Sequence, residues 1–257
     1  MSERLLFAAE LARRAADTLC RYYSPDGLPA VRKADHTLVT EADVAADRLI
    51  AAALGEAYPQ DAILSEELQQ SLDAPAPSLW VIDPLDGTTN FSRGLRHWGV
   101  SIAYLQDGWP ELGAIYFPLL NELYTAQRGA GAFLNGAPLH VDSSPDAFFF
   151  CCSRTIQHYR LTLTNKCRVV GSAAYDLCAV GRGVASMSLD MTCKVWDIAA
   201  GWVVVTEAGG VVEMFAGPAP FPLSAGQPYD RLSFPTLAAA SPQLLQTARQ
   251  KIVAINL

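Results

Sequence analysis

The chain has 257 residues, of which 51% are hydrophobic and 18% are charged, as expected for a folded globular protein. Its formal net charge of −7 at pH 7 argues against a protein that binds nucleic acid through a basic surface. No apolar run approaches the roughly 20 residues that a membrane-spanning helix needs, so a membrane protein is not expected.

The cysteines and the N-terminus indicate the compartment. The six cysteines form neither a C-x-x-C pair nor a spacing with histidine that is typical of zinc sites. The N-terminus leads into a mixed polar and apolar helix rather than a signal peptide. We therefore expect a cytoplasmic protein with reduced, mostly buried thiols.

Helical periodicity and turn residues predict the first elements. Apolar residues at helical spacing over 3–23 predict an amphipathic helix, which turn-forming residues at 24–27 end. Residues 33–39 are expected to form a loop and a short strand. Thr40 is a good N-cap for a second helix to about residue 54, and Asp43 stands three residues later, as in a capping box.

Two short strands then lead into acidic residues. Residues 62–64 predict a strand that ends at Ser65-Glu66-Glu67, where a glutamate is usually a solvated loop residue. Residues 79–82 predict a buried strand, because apolar and β-branched residues crowd together just before Asp83-Pro84.

The loop after the second of these strands carries the strongest chemical signal. Asp83 and Asp86 are acids on a segment that Pro84 stiffens, and they could share hard cations with the carbonyl of Leu85 between them. Gly87-Thr88-Thr89 offers backbone N–H groups suited to a phosphate, and it could open a short helix. The alternative is an ordinary Asp-Pro and Asp-Gly turn at the end of a strand.

The middle of the chain predicts an antiparallel meander, and a change of pattern near 145–150 predicts a second sub-domain. The chain is therefore expected to be α+β, with sub-domains 1–145 and 146–257. Strands of the meander are predicted at 99–105, 112–117, 122–126 and 129–136.

The second sub-domain begins with strands at 147–152 and 167–170. Gly171, Ser172 and Ala173 open a helix to about 183, and such small residues indicate either tight packing or close approach of a ligand. Asp197 heads an apolar helix over 198–208, where an aspartate could also be only an N-cap. Later elements are strands at 211–213 and 236–240 and a last helix that starts at Ser241-Pro242.

Three segments carry a family resemblance. Residues 83–91 resemble the metal-binding signature of the inositol monophosphatase family, and 65–67 and 196–201 resemble two further blocks in the same order and separation. The resemblance covers nearly the whole chain. It implies a layered α/β/α/β/α sandwich of the inositol monophosphatase and fructose-1,6-bisphosphatase type, usually a homodimer, with magnesium-dependent, lithium-sensitive phosphomonoesterase activity.

The resemblance also implies the residues of the site. Glu66, Asp83 and the Leu85 carbonyl would bind one metal, Asp83, Asp86 and Asp197 a second, and Glu66 with waters a weaker third. These donors are all hard oxygens without histidine or cysteine, which favours Mg²⁺, with Mn²⁺ as a substitute, over zinc. The residues implied in catalysis are Thr88, Asp43 and Glu66. Those implied in phosphate binding are Gly87 and Thr88. Those implied in substrate binding are Gly171, Ser172, Ala173 and Asp190.

Asp190 marks a departure from the family. Family members commonly carry a substrate-contacting glutamate seven residues before the metal-binding aspartate, followed by an arginine, and this chain has Asp190 and Met191 there. Substrate choice, rather than metal binding, is what this difference affects. His97 also stands where relatives often carry an apolar or proline-containing pair, so it is either a surface residue or a substrate contact.

The expected function is hydrolysis of inositol monophosphate by in-line attack of a metal-activated water. Asn90 favours this inositol-like branch. The alternatives are fructose-1,6-bisphosphate, histidinol phosphate or a 3′-phosphoadenosine nucleotide as the substrate, or a non-catalytic regulatory member of the family. The expected partner is thus a small phosphorylated polyol or sugar, with neither nucleic acid nor membrane.

Overall fold

The computed structural model describes residues 2–32, 38–144 and 146–255. Its helices are α1 (Glu3–Tyr22), α2 (Glu41–Ala57), α3 (Thr88–Ser92), α4 (Ser153–His158), α5 (Ala173–Gly181), α6 (Val195–Glu207) and α7 (Pro242–Lys251), with a 3-10 turn at Pro118–Leu120. Its strands are β1 (Val31–Arg32), β2 (Leu38–Val39), β3 (Ala62–Ser65), β4 (Ser78–Asp86), β5 (Gly99–Gln106), β6 (Trp109–Phe117), β7 (Glu122–Gln127), β8 (Gly131–Leu134), β9 (Ala137–Pro138), β10 (Phe148–Cys151), β11 (Tyr159–Leu161), β12 (Cys167–Arg168), β13 (Ala185–Asp190), β14 (Val211–Met214), β15 (Thr236–Ala239) and β16 (Ile252–Ala254).

The first large sheet contains the predicted meander. Its seven strands run in the order β3-β4-β5-β6-β7-β8-β9, and only the β3–β4 pair is parallel. Side chains alternate between its two faces, since Trp80 and Ile82 belong to one buried cluster while Leu79 and Val81 belong to another. A strand buried on both faces reads as a continuous apolar run, which explains the sequence of β4.

The second large sheet has five strands in the order β12-β10-β13-β15-β14. Its β10 pairs in parallel with β12 and β13, whereas β15 pairs antiparallel with β13 and β14. Two further pairs, β1–β2 and β11–β16, are small antiparallel sheets.

The helices and the two large sheets form five layers. Helices α1 and α2 pack on one face of the seven-stranded sheet, α5 and α6 lie between the two sheets, and α7 covers the outer face of the five-stranded sheet. Three apolar clusters fill the four spaces between sheet and helix, because the cluster around α5 and α6 faces both sheets. The predicted α/β/α/β/α sandwich is therefore confirmed.

The central layer joins the two parts of the chain. Apolar residues from both 1–145 and 146–257 belong to the buried cluster around α5 and α6. The division into these two sub-domains stays a prediction. Among the described residues, no helix combines the length and the apolar character that crossing a bilayer requires.

Some local predictions differ from the structure. The predicted loop and strand at 33–39 lie partly outside the described residues, and β2 accounts for the end of that range. Strand β4 continues through Pro84 to Asp86, with irregular pairing between Asp83 and Asp86, because a proline without an N–H is tolerated at a bulge. Helix α6 begins at Val195, so Asp197 lies in its first turn and is not its N-cap.

The cysteines are all free thiols, as expected, but burial is uneven. Cys151, Cys178 and Cys193 are buried, whereas Cys20 and Cys167 are exposed. The prediction of mostly buried thiols thus holds for only part of the set.

Candidate active site

Three carboxylates converge from three different elements. Glu66 follows β3, Asp83 lies in the bulge of β4, and Asp197 lies in the first turn of α6. One carboxylate oxygen from each lies within 4.8 Å of the others. Residues that are distant in the sequence therefore meet where β3 and β4 end beside α6, the arrangement that the family resemblance implies for these three acids.

Local hydrogen bonds hold two of these acids. The N–H of Leu85 donates to Oδ1 of Asp83 at 3.0 Å, across the bulge that Pro84 occupies. The N–H of Lys194 donates to Oδ2 of Asp197 at 2.8 Å, which caps the first turn of α6. Both carboxylates are thus oriented by the backbone before any ligand binds.

Asp86 lines one cavity together with Glu66, Asp83 and Asp197 but has a different environment. It accepts a hydrogen bond from the Ser172 hydroxyl, and it is also hydrogen-bonded by the backbone of Ala173 and Ala174 at the start of α5. Burial raises the pKa of Asp86 to about 6, and the bonds from α5 oppose the rise. Ser172 therefore links the predicted metal loop to the predicted substrate turn.

The electrostatics of the cluster favour a cation. Burial first, and then the charge of Glu66, raises the pKa of both Asp83 and Asp197 well above the usual range. Without neutralisation by protons or cations, these carboxylates would repel one another. All their donor atoms are oxygens, so the arrangement fits a hard divalent cation.

Asp43 is both a partner in the capping box of α2 and a neighbour of Thr88. Its Oδ2 accepts hydrogen bonds from the N–H and the hydroxyl of Thr40, at 2.9 and 2.6 Å, as part of the capping box of α2. Its Oδ1 lies 3.2 Å from Oγ1 of Thr88, and that hydroxyl also lies 3.1 Å from the carbonyl of Leu85. Burial raises the pKa of Asp43, and the hydrogen bonds from Thr40 and Thr88 lower it.

Gly87 is required where β4 passes into α3. It has a φ of +87°, and a Cβ atom there would lie 2.7 Å from the carbonyl oxygen of His97. A side chain would therefore be strained both by the backbone angles and by the contact. This turn brings Thr88 beside Asp43.

A cavity of about 490 Å³ contains most of the predicted site residues. Sequence reasoning missed several of its lining residues, including Arg93, Cys152 and Thr192, because no local pattern marks them. His97 is not among the lining residues, and its ring packs edge-on against Tyr175 at 5.0 Å between centroids. The predicted residues in the wall are Glu66, Asp83, Leu85, Asp86, Gly87, Thr88, Gly171, Ser172, Ala173, Asp190 and Asp197.

Asp47 is a further residue that the sequence did not reveal. It lies on α2 one turn after Asp43 and is completely buried. Its Oδ2 accepts hydrogen bonds from the N–H groups of Glu67 and Leu68, at 3.2 and 3.1 Å. Helix α2 thus holds the turn that presents Glu66.

Known proteins resemble this chain in sequence and in fold. A model of the inositol monophosphatase family matches residues 1–254. Nus factor SuhB of Pasteurella multocida is 36% identical over 267 aligned residues, which cover 98% of this chain and 96% of that protein. Nus factor SuhB of Escherichia coli K12 is 38% identical over 232 residues, 84% of this chain and 87% of that protein. The solved structure of a Thermotoga maritima IMPase superposes with a TM-score of 0.82 at 28% identity, covering 97% of this chain and 98% of that one.

Proposed function

The chain belongs to the inositol monophosphatase family, and we propose that it is a magnesium-dependent phosphomonoesterase that hydrolyses inositol monophosphate. The convergence of Glu66, Asp83 and Asp197 within 4.8 Å, in the wall of one cavity, is the observation that carries this proposal. A cluster of buried acids would repel an anionic substrate unless cations lay between them.

The proposed ligands divide among two to three Mg²⁺ ions. Glu66, Asp83 and the Leu85 carbonyl would hold the first, Asp83, Asp86 and Asp197 the second, and Glu66 with waters a weaker third, with Mn²⁺ as a substitute. When bound, these cations supply positive charge for the phosphate oxygens and the leaving oxygen and lower the pKa of water.

Thr88 and Asp43 are proposed to orient the attacking water. The Thr88 hydroxyl has one proton, which it donates to Asp43 or to the Leu85 carbonyl, so its oxygen can accept a hydrogen bond from water. Asp43, anchored by Thr40, can take up the proton that this water releases through Thr88. Glu66 is proposed to lie beside the same water, where it both binds a metal ion and acts in catalysis.

The remaining lining residues suit the other parts of the substrate. The backbone N–H groups of Gly87 and Thr88 are proposed to bind the phosphate. The turn formed by Gly171, Ser172 and Ala173, together with Asp190, is proposed to contact the alcohol. Among the described lining residues there is no histidine to complete a Ser-His or Cys-His pair, and direct attack by water requires no covalent intermediate.

A phosphate-release panel tests the substrate. At saturating Mg²⁺ we expect the highest kcat/KM for inositol-1-phosphate among inositol-1-phosphate, fructose-1,6-bisphosphate, histidinol phosphate and 3′-phosphoadenosine phosphate. A higher value for another member of the panel would move the assignment to that substrate. Absence of phosphate release from every member would overturn the enzymatic proposal.

The curated relatives favour a second candidate, a regulatory Nus-factor role that does not need turnover. Both relatives described above are named Nus factors, at 36% and 38% identity. Asp83→Asn separates the two functions in cells, because loss of a cluster charge should remove hydrolysis while the fold remains. If wild type and Asp83→Asn complement the phenotype of a gene deletion equally, the regulatory role is favoured. If Asp83→Asn fails to complement it, hydrolysis is favoured. A homodimer and a cytoplasmic location also stay predictions.

A further inference from the structure

Two cysteines on neighbouring strands of the five-stranded sheet bring their thiols into contact. Sγ of Cys151, the last residue of β10, lies 3.4 Å from Sγ of Cys167, the first residue of β12. Cys167 pairs with Phe149, so both thiols project from the same face of the sheet. Among the described residues, no other two thiols lie within hydrogen-bonding distance of each other. This contact sets the pair apart from the other cysteines.

The two thiols differ in their access to solvent. Cys167 is exposed, whereas Cys151 is completely buried in the apolar cluster under α7. Burial first, and then the neighbouring Cys167, raises the pKa of the Cys151 thiol. Cys151 therefore stays protonated, and a soluble oxidant meets Cys167 first.

Packing does not explain a cysteine at position 167. Cysteine behaves as a small apolar residue that gains from burial, and an exposed edge strand offers little of it. An accessible cysteine with a second cysteine beside it is instead the arrangement found in redox-sensitive pairs.

The sheet allows the movement that a disulfide bond needs. The two sulfurs must approach from 3.4 Å to about 2.0 Å, the length of a disulfide bond. Strand β10 is held between β12 and β13, but β12 has only two residues and lies at the edge of the sheet. The approach of the sulfurs therefore displaces β12 rather than β10.

Strand β12 leads directly into the wall of the candidate active site. Gly171 and Ser172 follow its end and line the cavity, where the Ser172 hydroxyl donates to Asp86. Nδ2 of Asn90 lies 2.8 Å from the carbonyl oxygen of Val170 and 3.3 Å from that of Gly171, so α3 holds this turn in place. Displacement of β12 would pull the turn away from both contacts.

We propose that Cys151 and Cys167 are a redox-sensitive pair, which a hydroperoxide converts to a disulfide bond that displaces the turn of residues 171–173 and slows hydrolysis. The hydroperoxide transfers one oxygen atom to the sulfur of Cys167, which becomes a sulfenic acid, and leaves as water or an alcohol. The sulfur of Cys151 then displaces the hydroxyl group from the Cys167 sulfur, and that group leaves as water with the Cys151 proton. A reducing dithiol restores both thiols. Formation of the bond does not depend on the proposed function, whereas its effect on hydrolysis does.

The first test maps the bond in the full chain. Reduced wild type is treated with hydrogen peroxide, the remaining thiols are blocked with N-ethylmaleimide, and unreduced peptides are analysed by mass spectrometry. We expect a disulfide between Cys151 and Cys167 that dithiothreitol removes. Absence of this bond in folded wild type would overturn the inference.

Two variants control the mapping. Cys20→Ser removes an exposed cysteine that contacts no other thiol among the described residues, and it should form the same bond as wild type. Cys151→Ala should accumulate a sulfenic acid at Cys167 that dimedone traps, and absence of that adduct would overturn the proposed order of steps. If Cys151→Ala does not fold, Cys167→Ser, at an exposed position, should leave Cys151 unoxidised, and oxidation of Cys151 there would overturn the same order.

The second test measures the effect on the site. Oxidation should lower kcat/KM for inositol-1-phosphate about 10-fold in wild type and in Cys20→Ser, roughly the effect of one lost hydrogen bond, and leave Cys167→Ser nearly unaffected. Because Cys152 also lines the cavity, an equal loss in Cys167→Ser would assign the effect to another thiol and overturn the inference.

Hydrogen exchange provides a measurement without turnover. The backbone amides of residues 169–175 should exchange faster in oxidised than in reduced wild type. With the bond mapped, unchanged exchange or an unchanged kcat/KM would overturn the inference. If reduced wild type releases no phosphate, the proposed function fails, and the mapped bond and the amide exchange still decide this inference.

Discussion

At the scale of single residues, buried carboxyl groups dominate the chemistry. Burial is the largest cause of the raised pKa of Asp43, Asp83, Asp86, Asp190 and Asp197. A folded protein that holds acids in this way takes up protons that the unfolded chain would release. Its stability without metal must therefore depend on pH.

We predict that the metal-free protein loses stability as pH rises from about 4 to 7. The pKa of Asp86 is about 6 in the folded protein against 3.8 ordinarily, so its favourable contribution is present below pH 4 and lost as pH rises through 6. The full loss from Asp86 alone is ~3 kcal/mol, and Asp190, with a pKa of about 7, acts in the same direction. Urea unfolding in EDTA at pH 5, 6 and 7 measures the trend.

The control for this trend is Asp86→Asn, which cannot titrate at that position. Its free energy of unfolding should fall less steeply over the same pH range. Greater stability of metal-free wild type at pH 7 than at pH 5, or the same slope in both proteins, would show that these acids do not titrate as described.

Asp47 is predicted to tune metal affinity through Glu66. Asp47→Asn keeps the shape of the side chain but removes the negative charge of the carboxylate, which accepts hydrogen bonds from the N–H groups of Glu67 and Leu68. Loss of such a supporting contact typically costs 10–100-fold in metal affinity, so we expect about 10-fold more Mg²⁺ for half-maximal phosphate release. Glu41→Gln, an exposed position on the same helix, is the matched control. Equal Mg²⁺ requirements in the two variants would rule out this role.

Residues in local motifs could be predicted, and residues defined by packing could not. Thr40, three residues before Asp43, predicts only the capping role of Asp43, and the family resemblance implies its pairing with Thr88. Asp83 is marked by the distinctive string of residues in its loop. Asp47 belongs to no such string, and its partners lie in the turn after β3. Its role depends on how α2 packs, which residue types alone do not specify.

At the scale of elements, the turn at Gly87 is the most constrained connection in the site. Gly87→Ala should destabilise the protein by about 1–3 kcal/mol, because a non-glycine residue is strained at a φ of +87° and its Cβ would meet the carbonyl of His97. Relief of that contact would move Thr88, so kcat/KM should fall as well. Urea unfolding and phosphate release measure the two effects.

Gly136→Ala is the matched control for backbone strain alone. Gly136 has a φ of +82°, and a Cβ there would have no neighbour within 4 Å. We expect a loss of about 1–2 kcal/mol in stability and no change in phosphate release. An equally stable and equally active Gly87→Ala protein would be incompatible with a constrained turn.

The long elements were predictable, and the short ones were not. Helices α1, α2 and α7 have N-cap serine or threonine residues and, over their length, enough turns to show a period. Helix α4 has six residues and β9 has two, so neither completes a pattern that could be recognised. The predicted end of β4 at residue 82 was early, because an Asp-Pro pair usually breaks a strand and here lies in a bulge.

At the scale of the whole molecule, chain order explains what the sequence could and could not predict. The seven-stranded sheet pairs strands in sequence order, so a meander followed from the turns. The order β12-β10-β13-β15-β14 joins segments separated by helices, and no pattern in the sequence predicted it. The candidate active site depends on both kinds of connection, since its acids come from both parts of the chain.

Lithium inhibition is predicted for the assembled site. Li⁺ is a hard cation that the oxygens of Asp83, Asp86 and Asp197 can accept, and the family resemblance implies inhibition at millimolar-scale concentrations. Phosphate release in LiCl should therefore fall, while KCl at equal ionic strength should have little effect. Equal rates in the two salts, with full dependence on Mg²⁺, would assign the chain to a lithium-resistant branch.

The central claim is that Glu66, Asp83 and Asp197 hold the cations on which hydrolysis depends. Titration of phosphate release from inositol-1-phosphate with Mg²⁺, in wild type and Asp83→Asn freed of metal, tests it most directly. We predict no release from either protein without a divalent cation, saturable activation of wild type, and no activation of Asp83→Asn, which remains folded by circular dichroism. Release at the full rate from metal-free wild type, or normal activation of Asp83→Asn, would contradict the claim.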